Sequence, residues 1–182
     1  RLIDRSVFPG TQGGPLEHVI AAKAVAFYEA LQPEFRDYAA RIVKNAKTLA
    51  EALKERGFKL IGDGTENHLI LVNIIDSYGI DGKTYERALD RIGLTLNANA
   101  IPNDTRRPFE PSGVRLGTPA ITTRGLGVDE MIQIADWMQE TAEVCAGKRD
   151  ESELDTLREE VRALALRFPL PSEEKHENMY QS

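Results

Sequence analysis

A single cysteine, Cys145, stands among 182 residues, so no disulfide can close within the chain and no thiolate cluster can hold a metal. That usage fits a reducing compartment, and a cytoplasmic location is the expectation. Histidine is nearly as sparse. His18, His68 and His176 are the full complement, and none has a partner at metal-ligand spacing, so no metal site is expected. An excess of positive charge is also missing: the formal net charge of −6 argues against nucleic acid or an anionic membrane as partner, since both require a basic face. No apolar run approaches the ~20 residues of a membrane span. The charged start, residues 1–5, has no apolar region behind it and so does not read as a signal peptide. What remains is a chain 41% hydrophobic, enough to bury a core of one domain or slightly more, and too apolar for a disordered chain.

Residues 1–15 read as a loop punctuated by Pro9, Gly10, Gly13, Gly14 and Pro15, opening on what resembles the end of a helix, as though the chain began within something larger. Pro15 suits a first helical turn, and the Ala-rich pattern of residues 16–31 is helical. A long amphipathic helix follows over residues 33–56: Tyr38, Ile42, Leu49 and Leu53 share one face, and Gly57 is the stop. Beyond it, residues 58–61 and 68–75 are short β-rich runs separated by Gly62, Asp63 and Gly64. A helix over residues 81–92 ends at Gly93. Residues 94–96 and 113–116 are strand candidates around a polar, Pro-rich loop at 97–111, and helices are expected at 129–144 and 151–166, with a polar tail from Pro171. Strands alternating with helices predict an α/β unit.

Three constellations carry chemistry. Two adjacent glycines, Gly13 and Gly14, precede a helix, where backbone amides and the helix terminus can face an anion. A simple tight turn accounts for the same residues. In the second, Asn97, Asn99, Asn103 and Asp104 crowd beside Arg106, Arg107 and Arg115. Most of these would be solvated. Arg115 differs, because it lies in an apolar run between Val114 and Leu116 and so reads as buried, and a buried guanidinium needs an anion, which it grips through two parallel hydrogen bonds. A bound carboxylate and an internal Asp or Glu are both open as its partner. The third is Thr65, Glu66, Asn67 and His68 at a strand start, where the histidine reads as a hydrogen-bonded structural residue. Cys145, near a helix end among polar residues, reads as structural.

Together these segments resemble the serine hydroxymethyltransferases: residues 6–15 with 22–25, 44–46, 65–69, 97–102 and 112–125, including the motif Ser112-Gly113-Val114-Arg115-Leu116-Gly117-Thr118-Pro119. Several motifs in order are far more specific than any one alone. The resemblance implies an α/β fold that combines the end of the large domain and the C-terminal small domain of a fold-type I pyridoxal-phosphate-dependent transferase. It divides the chain into residues 1–32 of the large domain, a connecting helix at 33–56, the small domain at 57–170 and a tail at 171–182. It implies that Arg115 holds the α-carboxylate of serine or glycine. Gly14, with Gly13 beside it, would contact the phosphate of pyridoxal 5′-phosphate in a neighbouring subunit, within a homodimer or tetramer. Asn99, Phe8, Pro108 and Phe109 would contact tetrahydrofolate. The reaction implied transfers the hydroxymethyl carbon of serine to tetrahydrofolate, leaving glycine and 5,10-methylenetetrahydrofolate.

The family's Schiff-base lysine lies in a Thr-Thr-His-Lys-Thr type motif that this chain does not contain, and none of Lys23, Lys44, Lys47, Lys54, Lys59, Lys83, Lys148 or Lys175 stands in such a context. No catalytic residue is therefore assigned, and the chain alone is expected to be silent. The family's usual Ser or Lys before Pro-Phe is replaced by Arg107, and its Val-Thr by Glu110 and Pro111. Two alternatives stand beside this reading: the small domain of another fold-type I enzyme such as an aminotransferase, and a non-catalytic module that pairs with other subunits.

Overall fold

The computed structural model describes residues 1–170. Two compact units divide it, one over Arg1–Asp37 and one from Tyr38 onward.

The first unit holds α1 (Leu2–Val7), α2 (Glu17–Ala30) and the first turn of α3 (Pro33–Glu55). Residues 2–7 are helical, not loop as the glycines and prolines farther on suggested. The carbonyls at the end of α1 find donors in the turn itself: Gln12 N–H donates to Val7 O at 2.7 Å, and Thr11 Oγ1 donates to Ser6 O at 3.0 Å. Gly10 is required there, because a Cβ would stand 2.5 Å from Ser6 O. None of the residues described in α2 is buried, and Leu16, Ile20, Val25, Phe27, Tyr28 and Leu31 in and beside it are exposed.

In the second unit α3 buries Asn45, Ala46, Leu49, Ala50, Ala52 and Leu53 on one face, as the spacing predicts. The sheet comprises β1 (Lys59–Leu60), β2 (Leu69–Asn73), β3 (Asn97–Asn99) and β4 (Gly113–Gly117), in the order β1-β2-β4-β3 with every pairing antiparallel. Strands and helices therefore do not alternate singly, as the sequence pattern suggested: β1 and β2, then β3 and β4, follow one another as pairs separated by two helices, and no pairing among the described residues is parallel. Around the sheet lie α4 (Ile74–Tyr78), α5 (Gly82–Ile92), α6 (Pro119–Thr123), α7 (Val128–Cys145) and α8 (Glu153–Leu166). The core is one cluster: Ile70, Val72 and Val114 from one face of the sheet meet Tyr85, Leu89 and Ile92 of α5, Met131, Trp137 and Met138 of α7, and Leu157 and Val161 of α8. Polar atoms inside it are partnered. Tyr85 Oη donates to Met138 O at 2.7 Å, Trp137 Nε1 to Glu160 Oε2 at 2.8 Å, and burial raises the Tyr85 phenol well above its ordinary pKa.

Three boundaries differ from the sequence pattern. The run expected as a strand over residues 68–75 stops at Asn73, whose side chain accepts from Asp76 N at 3.1 Å and caps α4. Residues 94–96 are not a strand: Leu94 and Leu96 are apolar because they pack against the core, and pairing begins at Asn97. The short α6, begun by a proline at its first position, carries no amphipathic signal of its own. The tail from Pro171 and His176 lie outside the described residues.

Candidate functional site

Strand alternation builds the site. Val114 is fully buried on the core face, so its neighbour Arg115 points to the opposite face and is exposed. This corrects the reading of a buried arginine: the apolar residues beside it line one side of the strand and the guanidinium stands on the other. On that outer face β4 offers Gly113, Arg115 and Gly117, so Arg115 supplies its sole side chain. Directly opposite lie Leu71 of β2 and Asn97 of β3. Such facing pairs have Cβ atoms about 5 Å apart. Asn99 follows two residues along the same face, opposite Gly113. Among the described residues the Arg115 guanidinium makes no ion pair or hydrogen bond, so no described Asp or Glu engages it.

Close packing keeps β4 in place. A Cβ on Gly113 would come within 2.7 Å of Ile101 Cγ2 and Val72 O and 2.9 Å of Asn99 O, so only glycine fits between the flanking strands. Gly82, at the start of α5, donates its N–H to Pro111 O at 2.8 Å, and a Cβ on it would lie 2.1 Å from Gly113 O. After β4, Thr118 is buried; its Oγ1 donates to Ile42 O at 2.9 Å and its N–H donates to His68 O at 3.2 Å. Asn45, also buried, donates through Nδ2 to Thr122 Oγ1 at 2.9 Å and Leu126 O at 3.0 Å, fixing α6 to α3.

Asp104 organises the loop from β3 to β4. Its carboxylate accepts from Ser112 N at 2.9 Å, Ser112 Oγ at 2.8 Å, Arg106 N at 3.0 Å and Ile101 N at 3.3 Å. These donors, the Ser112 N–H first, lower its pKa from 3.8 to about 2. Arg106 Nε donates to Glu110 O at 2.9 Å, so two of the charges that looked merely solvated are structural. Arg107 makes no such bond among the described residues, and Pro108 and Phe109 form an exposed tip, with Phe109 88% exposed. The loop joins β3 to β4, leaving β3 after Asn99 and entering β4 at Gly113.

The other residues singled out in the sequence lie elsewhere. Phe8, Gly13 and Gly14 belong to the first unit and all three are exposed. Neither glycine has a positive φ, and a Cβ on either would meet nothing within 4 Å. Pro15 lies just before the N-cap position, Leu16, not inside the first turn of α2. The His68 imidazole is exposed and makes no hydrogen bond among the described residues; only its backbone carbonyl takes the structural part expected of it. Burial pushes the Cys145 thiol up to about 11, which suits a packing residue and not a nucleophile. No described helix is long and apolar enough to cross a membrane.

Asp104 and Thr118 were singled out in the sequence without the bonding roles they take here, and Asn45 was given no role of its own. Asp104 carried a signal, an aspartate followed two residues later by an arginine and flanked by Asn103, a turn pattern in which a side chain captures nearby amides. Asn45 and Thr118 carried none, since their partners are 77 and 76 residues away.

A family model for serine hydroxymethyltransferase matches residues 1–138. A serine hydroxymethyltransferase of Acidothermus cellulolyticus is 54% identical over 175 residues, covering 94% of this chain. The chain spans 40% of the length of that curated relative.

Proposed function

The chain belongs to the serine hydroxymethyltransferase family, and from that premise we propose that it is the C-terminal portion of a longer cytoplasmic subunit that exchanges the hydroxymethyl carbon between serine and tetrahydrofolate. Residues 1–32 complete the large domain of a fold-type I enzyme, residues 33–56 connect, and residues 57–170 form the small domain. The observation that carries the reading is the open guanidinium of Arg115, the sole side chain on its face of β4, unpaired among the described residues and set beside Asn97.

An exposed, unpaired arginine on a rigid strand is preorganised for a planar anion. It binds the α-carboxylate of serine or glycine through two parallel N–H donors, with no internal ion pair to break first. Holding the carboxylate on a strand fixes the orientation of the substrate's α-carbon, so the residue contributes alignment as well as affinity. Asn99 and the Pro108–Phe109 tip, with Phe8, contact tetrahydrofolate, the asparagine by hydrogen bonding and the rings by apolar contact.

Gly13 and Gly14 fit the phosphate of pyridoxal 5′-phosphate. Their own chain leaves the space over both open, and no backbone strain demands glycine, so the missing side chains serve an approach from outside. The phosphate met there belongs to a cofactor of the neighbouring subunit in a dimer or tetramer. When bound, the cofactor supplies an acceptor for the electrons of the bond broken at the substrate's α-carbon. The lysine that anchors it is not among the lysines of this chain, so the chain by itself is silent.

Activity measured with and without the remainder of the subunit tests this proposal. Joined to the upstream part of a family member, the chain should convert serine and tetrahydrofolate to glycine, and alone it should not; turnover by the chain alone, or none by the completed subunit, overturns the reading.

A further inference from the structure

β3 is an edge strand, paired with β4 on one side only. The outward amides of an edge strand ordinarily meet water. Ala98, the middle residue of β3, instead donates its N–H to Glu86 Oε1 at 3.2 Å. Glu86 comes from α5, between the buried Tyr85 and the buried Leu89, and its side chain is only 14% exposed. Its other oxygen, Oε2, takes the Lys83 ammonium one turn earlier on the helix. Both oxygens are therefore engaged. The Lys83 hydrogen bond first, with the Ala98 N–H helping against burial, keeps the carboxyl below its ordinary pKa.

A partly buried carboxylate is favoured where it is paired and hydrogen-bonded, as this one is. One turn either side of it on α5 lie the buried Gly82 and Leu89 and the charged Lys83 and Asp90, so it stands where the core face of the helix meets its polar face. Its effect is on the peptide it grips. The Ala98 side chain shares the core face with Val114, so Asn97 and Asn99 flank it on the opposite face, beside Arg115. Fixing the Ala98 amide fixes both asparagines at once.

We propose that Glu86 is a positioning residue: it stands in for a missing neighbour strand, holding β3 so that Asn97 and Asn99 face a bound reduced folate and the amino-acid carboxylate on Arg115. This rests on the reading of that sheet face as the folate and amino-acid site. Lys83 neutralises the carboxylate so that it can remain beside the core.

Two measurements test it. In the 182-residue chain, the Ala98 amide should exchange with solvent slowly. Glu86→Ala and Glu86→Asp, the latter too short to reach, should each accelerate that exchange about tenfold or more, while Glu86→Gln, which keeps an acceptor, restores protection and the core amide of Val72 is unmoved. The same variants in the completed subunit should weaken binding of tetrahydrofolate about tenfold at an unchanged thermal midpoint, with Glu86→Gln again close to the parent. Unchanged Ala98 exchange in both Glu86→Ala and Glu86→Asp overturns the positioning claim. Accelerated exchange with unaltered folate binding overturns instead the assignment of this face to folate, and the functional proposal falls with it.

Discussion

Arg115 and Asp104 illustrate opposite uses of charge. Arg115 is exposed and unpaired among the described residues, so its removal costs the fold little: Arg115→Ala should leave chemical-denaturation stability within about 0.5 kcal/mol of the parent. Asp104 is engaged on all sides, and Asp104→Ala strands the Ser112, Arg106 and Ile101 amides. The expected loss is about 1–3 kcal/mol, read from the same denaturation curves. Its pH dependence has a definite sign. Because folding lowers this carboxyl from 3.8 to about 2, its stabilisation is fully present above pH 4 or so and is lost as pH falls toward 2. Amide exchange of Ser112 followed over that window should accelerate in the parent. In Asp104→Ala it should already be fast and show no such transition.

Elements were legible where periodicity is long. The helix read over residues 33–56 is found as Pro33–Glu55, and that over 81–92 as Gly82–Ile92, with Asp81 capping its start through Lys83 N and Thr84 N. Short elements were less so, because two or three residues do not make a period. β3 consists of Asn97, Ala98 and Asn99, residues typical of turns, and becomes a strand only because β4 on one side and Glu86 on the other take its backbone groups. Arg115 stood out in the sequence, yet its exposure was not legible there, since the flanking valine and leucine say nothing about which face it takes until the strand's period is applied. The meeting of α5 with β4 was equally hidden, being a contact between Gly82 and Gly113. At this junction Gly82→Ala places a methyl against a backbone carbonyl, an overpacking expected to destabilise by about 1–3 kcal/mol, whereas Gly13→Ala, with nothing within 4 Å, should leave thermal stability unchanged.

The whole molecule divides into a unit with a continuous core and a unit without one. The apolar residues of α2 are exposed on all sides, a composition found in helices that are buried. A chain of this kind should associate. Sedimentation at rising concentration is expected to show oligomers, and Ile20→Glu with Phe27→Glu should return the species to monomer without altering the near-ultraviolet signal of the Trp137 core. On the proposed function, the open face of β4 carries the amino-acid carboxylate on Arg115. Its most direct test is the dissociation constant of serine for the completed subunit, measured by calorimetry for the parent and Arg115→Ala at equal cofactor content. Serine binding should weaken by about a hundredfold or more, as expected for loss of a two-pronged charged hydrogen bond, and equal affinity in the two proteins would contradict a carboxylate held on Arg115.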